Sequence, residues 1–257
     1  MTIALFSDIH SNLPALESFF EDLDSREVDS VYCLGDLVGY NIWPNEVIDQ
    51  IRKRRIPTIA GNYDFGIGRN SNECGCAYKT EEDKANGKVS ISLTNELITG
   101  SNRSYLRNLP AHFRVEFQLN DKKLNLLMVH GSPRKINEYL FEDREEKSLL
   151  RIMEEADADI MCFGHTHKPY HRILNSGTEK DPHYRHAINL GSVGKPKDAD
   201  PRACYVLLSL DENSDFSDKE SIRPQFIRFE YDVEKAAKAV EGSRLPNAYA
   251  ENLRNGK

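Results

Sequence analysis

Long apolar runs are missing from this chain. Its longest, Leu124 to Val129 and Ile160 to Phe163, are strand-sized and fall well short of the roughly 20 residues that a membrane helix needs. No membrane partner is therefore expected. The opening MTIALFSDIH lacks the basic start and small-residue cleavage site of a secretory leader and reads as a first strand. Cysteine is scarce and odd in number: Cys33, Cys74, Cys76, Cys162 and Cys204. That scatter argues against a disulfide scaffold and suits reduced thiols, so a cytoplasmic location is expected. An excess of basic charge is missing too. The 34 Lys and Arg are outnumbered by 41 Asp and Glu, for a net charge of −7, so no long nucleic acid is expected as a partner. A small anionic substrate stays open, because bound metal ions reverse a local field. Nothing in the sequence specifies an oligomeric state.

What is present is an alternation of short apolar runs and amphipathic stretches. Residues 2–7 predict a buried strand. Asn12 caps a helix with Pro14 in its first turn and an apolar stripe of Leu13, Leu16, Phe19, Phe20 and Leu23. A second strand is expected over 31–34, a helix from Pro44 carrying Val47, Ile48 and Ile51, and a third strand over 57–60. Strand, helix, strand, helix, strand implies a parallel sheet with right-handed crossovers. Between about 66 and 110 a polar insertion is expected, with a loop and then a helix burying Ala85, Val89, Leu93 and Leu97. Strands follow over 113–119 and 123–129, then a helix near 143–156, a strand over 159–163, and strands near 171–174, 184–190, 203–209 and 224–231. A short helix and polar tail close the chain over about 232–257. The expected fold is α/β, with two packed mixed β-sheets flanked by helices in one domain spanning 1–257.

Five apolar strands each end in a candidate metal ligand. They supply Asp8 and His10, then Asp36, then Asn62, then His130, and last His165 with His167. Ligands gather beyond the carboxyl ends of strands in open α/β sheets, so seven oxygen and imidazole donors are expected on one rim. Gly35, Gly61, Gly131 and Gly164 fit the sharp turns this crowding needs. Each motif alone is weak, since a lone histidine at a strand end is more often a satisfied structural residue. Five together are hard to explain as caps and turns.

These blocks, Asp8-Ile9-His10, Gly35-Asp36, Gly61-Asn62-Tyr63-Asp64, Val129-His130-Gly131 and Gly164-His165-Thr166-His167, resemble the ordered signatures of calcineurin-like metallophosphoesterases. The length and the DIHSNLPALE opening look closest to the small bacterial and archaeal branch that includes the YfcE-like phosphodiesterases. The resemblance implies a four-layer α-β-β-α sandwich and a cytoplasmic hydrolase of small phosphoesters that uses a hydroxide bridging two divalent metal ions. It implies that Asp8, His10 and His167 bind one ion, that Asn62, His130 and His165 bind the other, and that Asp36 bridges them. Mixed oxygen and nitrogen donors suit Mn, Fe, Zn, Ni or Co better than Mg or Ca.

The third block departs from the family's phosphatase form, where a histidine stands at the position of Tyr63. A phenol donates a hydrogen bond but is a weaker acid than imidazolium, which favours a phosphodiesterase over a phosphomonoesterase or small-nucleotide hydrolase. Packing over the metals is the competing reading of Tyr63. Asp64 is expected to orient a ligand from behind. The catalytic set is thus Asp36, Asn62, Tyr63 and Asp64. A non-catalytic scaffold, as in the retromer subunit of this fold, is disfavoured because all seven donors are intact. Cys74 and Cys76 read as free thiols near the site's mouth, since two thiolates alone make an incomplete zinc site. Arg134 and Lys135 follow His130 closely enough to reach a substrate phosphate, though solvated surface charge is the simpler reading. Trp43 either lines the cleft or packs, and the loop from Gly191 to Lys195 is expected to buttress the site. His112, His171, His183 and His186 stay unassigned.

Overall fold

A computed structural model describes residues 1–78, 80–119 and 122–257. The first strand, β1 (Thr2–Phe6), pairs in parallel with β2 (Ser30–Cys33) across the helix α1 (Leu13–Asp24). Asn12 caps that helix by accepting the Ala15 N–H at 3.2 Å. Leu16, Phe19, Phe20 and Leu23 form its buried stripe, as the periodicity predicts. After α2 (Pro44–Lys53) the expected strand over 57–60 shrinks to a single parallel bridge between Cys33 and Thr58. Pro57 has no N–H to offer a ladder, and the Ala60 N–H is taken by the Pro110 carbonyl at 2.8 Å.

Three helices follow, α3 (Asn62–Gly68), which begins before the expected insertion, then α4 (Glu81–Leu97) and α5 (Gly100–Arg107). Only a helix like α4 is foreseen by its sequence, and its buried face is a different one. Gly87, Ser90, Ile91, Leu93 and Thr94 are inward, while Ala85, Val89 and Leu97 are exposed. A strict spacing of four drifts around a helix that turns every 3.6 residues, so it does not mark one face over 13 residues.

Next come the long hairpin β3 (His112–Leu119) and β4 (Lys122–Val129), α6 (Glu146–Glu155), β5 (Ile160–Phe163), β6 (Tyr170–Asn175), β7 (Tyr184–Asn189), β8 (Ala203–Ser209) and β9 (Gln225–Phe229). The chain ends in α7 (Val233–Glu241) and α8 (Asn247–Asn255), so the expected polar tail is largely helical. Tyr249, Ala250 and Leu253 of α8 pack with Ala236, Ala237 and Val240 of α7, and Trp43 joins this cluster as a packing residue.

Four strands form one mixed sheet in the order β2-β1-β8-β9, and five form a second in the order β3-β4-β5-β7-β6. Alternation along each strand divides the core into layers. Ile3 and Leu5 face Leu126, Met128, Ile160 and Cys162 between the sheets, while Ala4 and Phe6 face Leu16 and Phe19 of α1. On the far side Leu127, Met161 and Phe163 meet Leu149, Ile152 and Met153 of α6. The result is the expected pair of mixed sheets flanked by helices. Fully burying each such aliphatic or aromatic side chain contributes about 1.5–3 kcal/mol, which holds the strand ends in fixed register.

Candidate metal centre

All seven predicted donors are buried, with Asp8 and His10 fully so and Asn62 and His165 each 3% exposed. They come from the ends of β1, β2, β4 and β5 and from the start of α3. Five of them, Asp8, His10, Asp36, His165 and His167, have φ between 50° and 66°. A left-handed backbone costs a non-glycine residue roughly 1–2 kcal/mol, and such strain concentrates where a site over-determines geometry. It turns each side chain sharply back over the strand end it follows. Gly61 and Gly164 allow the crowding, because a Cβ at either would collide with the carboxylate of Asp36 or of Asp8 respectively.

The donors converge as two groups, Asp8 with His10 and His167, and Asp36 with His130 and His165. Asp36 stands between them. Its Oδ2 lies 3.4 Å from His130 Nε2 and 3.6 Å from His10 Nε2, while its Oδ1 accepts the Tyr63 N–H at 2.8 Å. Asn62 Oδ1 lies 3.1 Å from His130 Nε2, which adds the amide oxygen to the second group.

Backbone carbonyls fix three rings from behind. His10 Nδ1 meets the Val38 carbonyl at 3.0 Å, His130 Nδ1 that of Leu34 at 2.8 Å, and His167 Nδ1 that of Lys195 at 2.6 Å. An acceptor there places a proton on Nδ1 and turns Nε2 inward. Burial pushes His10 down to about 3 and His165 likewise to about 3, and lowers His167 as well, so these imidazoles present lone pairs. His130 goes the other way. Burial opposes its charge, but the Asp36 and Asp8 carboxylates overcome that and raise it to about 10.

This donor set fits divalent cations. His165 Nε2 is buried and has no hydrogen-bond partner among the described residues, which is costly unless something occupies the space it faces, and the buried Asp8 Oδ1 lies 3.2 Å from His167 Nε2.

Several supports lie behind the donors, Asp64 and the late glycine-rich loop among them as the sequence leads one to expect. Asp64 accepts the N–H groups of Leu37 at 2.9 Å and Gly61 at 3.0 Å, so it fixes the loop carrying Asp36 and the turn before Asn62. Burial, then the neighbouring Asp36, raise its carboxyl to about 7. The Asn62 amide donates to the Cys74 carbonyl at 2.8 Å and to Cys76 Sγ at 3.4 Å, which aims its oxygen at the cluster. Both cysteines are free. The late glycine-rich loop holds Asp8 in place, with Gly194 N–H on the Asp8 carbonyl at 3.0 Å and Ser192 Oγ on it at 2.7 Å. Asn189 donates to the Gly164 carbonyl at 2.9 Å and to Thr166 Oγ1 at 3.0 Å, bracing the turn between the two last histidines. Only its place at a strand end hinted at this.

Other residues singled out in the sequence make different contacts. Tyr63 is 1% exposed and lies edge-on to His10 with ring centres 5.4 Å apart. Its main-chain N–H, not its phenol, meets Asp36. Arg134 pairs with Glu138 and is not free for a phosphate. His171 and His186 bond each other at 2.9 Å, and His183 pairs with Asp159.

Similar proteins bear on this arrangement. The uncharacterized protein MJ0912 of Methanocaldococcus jannaschii is 31% identical over 261 residues, covering 98% of this chain and 96% of its own. A metallophosphoesterase from Sphaerobacter thermophilus superposes with a TM-score of 0.73 at 26% identity, covering all of both chains. The hypothetical protein PH1004 of Pyrococcus horikoshii gives a TM-score of 0.76 at 23% identity, covering 100% and 98%, and shares the fold. Residues 1–213 match the family described as the calcineurin-like phosphoesterase superfamily domain, and the chain belongs to that superfamily.

Proposed function

We propose that the protein is a dinuclear metal-dependent phosphodiesterase acting on small phosphoesters. Asp8, His10 and His167 hold one divalent ion, Asn62, His130 and His165 hold the second, and Asp36 is shared. The observation that carries this reading is Asp36 Oδ2, poised between His10 and His130 at 3.6 and 3.4 Å. Two ions held by these residues would lower the pKa of a water and neutralise charge on the phosphoryl oxygens. The residues do the rest. The carboxylates of Asp8 and Asp36 offset the cations' mutual repulsion, while the neutral Asn62 amide adds an oxygen without further negative charge. Asp64 locks two of the ligand-bearing loops against each other.

Preference for diesters and activated esters follows from what stands at position 63. Burial raises the Tyr63 phenol well above its ordinary value of 10. As a weaker acid than imidazolium, it is a poorer proton donor to a departing alkoxide near neutral pH. Good leaving groups need no such proton.

The test is hydrolysis of bis-(p-nitrophenyl) phosphate by the metal-loaded protein. Asp36→Asn and His130→Ala are expected to abolish it while circular dichroism stays native. Full activity in either variant would refute the assignment.

A further inference from the structure

Two ammonium groups beside the ligand cluster have no part in the chemistry above. Lys195 and Lys197 follow Gly194 on the loop that braces Asp8 and His167. They line a cavity of about 360 Å³ together with Tyr40, Tyr78, Tyr139 and Tyr249. Lys195 Nζ lies 5.0 Å from the centre of the Tyr40 ring and 5.9 Å from that of Tyr249, and Lys197 Nζ lies 5.9 Å from Tyr40. Tyr40 meets His10 edge-on with 4.8 Å between ring centres, so one tyrosine ring separates the ammonium groups from the first donor group. Tyr139 lies 4.1 Å from the His165 ring and carries the same cavity to the second.

Among the described residues no ion pair joins either lysine to an aspartate or glutamate side chain. Lys195 Nζ donates to the Lys257 carbonyl at 3.1 Å, and Asp83 is the single acidic residue in the cavity's lining. Lys195 is 5% exposed. Uncompensated charge is expensive where it is buried, and burial pushes both amines below the usual lysine range, with the Lys197 ammonium adding to this at Lys195. A chain with a net charge of −7 has carboxylates to spare for such a place, yet supplies only one. An anion lodged there would relieve both lysines.

We propose that this cavity binds a second phosphate of the substrate, held by Lys195 and Lys197, with the tyrosines stacking on an attached base. The inference rests on the phosphoesterase reading for the reacting ester and adds the substrate class: small nucleotides carrying at least two phosphates, one at the ligand cluster and one at the lysines. Ammonium groups bind phosphate as compact point charges, and aromatic faces stack on any base.

The experiment is calorimetric titration of the full-length protein, as purified, with thymidine 5′-monophosphate and with thymidine 3′,5′-bisphosphate. The bisphosphate is expected to bind about tenfold more tightly or better, a step equivalent to about 1.4 kcal/mol. Lys197→Met brings the ratio near one, and Lys197→Arg retains most of it. Equal affinities in the wild type, or a preference that survives in both Lys197→Met and Lys195→Met, overturns the proposal. Binding requires no turnover. A protein that prefers the bisphosphate but hydrolyses no ester refutes the hydrolase reading and leaves the subsite, whereas hydrolysis with equal affinities does the reverse.

Discussion

His10 Nε2 and His167 Nε2 face each other at 3.2 Å, although the Nδ1 of each ring already meets a backbone carbonyl. Two imidazole lone pairs at that distance repel unless a cation lies near both. Removing metal should therefore expose the strain. A chelator is expected to lower the melting temperature by about 5 °C or more, since a ligand at a hundredfold excess over its Kd adds about 2.7 kcal/mol. Differential scanning calorimetry with elemental analysis checks this. Unchanged melting after loss of about two metals per chain, the number the two donor groups require, would count against the centre.

The single missing acid at position 63 leads to a gain-of-function expectation. Tyr63→His places an imidazole beside His10 and Asp36, where a proton is available near neutral pH. Turnover of an unactivated monoester such as glycerol phosphate should rise by about tenfold or more, read as released phosphate. No gain in a folded variant would mean that the tyrosine is not what limits monoester cleavage.

Asn62 is oriented by what it donates to. Its amide nitrogen bonds the Cys74 carbonyl at 2.8 Å, so Asn62→Asp sets a carboxylate oxygen against a carbonyl. The isosteric change loses a buried hydrogen bond and adds repulsion, a cost of about 1–3 kcal/mol. Denaturant unfolding should show that loss, with kcat/KM falling about a hundredfold. A variant as stable as the parent would contradict the assigned amide orientation.

Gly61→Ala should be among the most damaging small changes, because its Cβ runs into the Asp36 carboxylate and backbone. A loss of about 2 kcal/mol or more in urea unfolding is expected. Gly100→Ala, whose Cβ meets no atom within 4 Å, serves as the control and should not destabilise.

The pair of His171 and His186, away from the centre, sets an acid limb of stability. Burial lowers them to about 4 and about 3 respectively, against roughly 6.5 in the unfolded chain. Folded values below unfolded ones mean that the unfolded state binds more protons as pH falls. Their contribution is complete above about pH 6.5 and fades towards pH 4, by up to about 2 kcal/mol for each histidine at pH 5. The His171→Phe/His186→Leu double variant should lose less stability than the parent between pH 7 and 5. Parallel curves would remove these residues as the cause.

The centre was more legible than the fold around it. The donors follow short apolar runs, and Asp36, Asn62, His130 and His165 each sit beside a glycine, both of them local signals. The strand over 57–60 was misjudged because its apolar pattern is sound, while the Ala60 N–H it needed is claimed by Pro110. The helices α3 and α5 are short and carry weak stripes. The buried face of α4 depends on what packs against it. Lys195 and Lys197 read as ordinary loop lysines, since nothing in their neighbours along the chain shows Tyr40 or Tyr249.

By itself the sequence determined the kinds of donor, their order along the chain and the apolar strands that carry them, because side-chain chemistry and hydrophobic period are properties of local residues. Only the tertiary structure decided that Asp36 lies between His10 and His130, that five donors adopt left-handed backbone, and that two lysines share a cavity with tyrosines from distant segments. Those are distances between parts of the chain up to 150 residues or more apart, as between His10 and His167, and packing alone sets them.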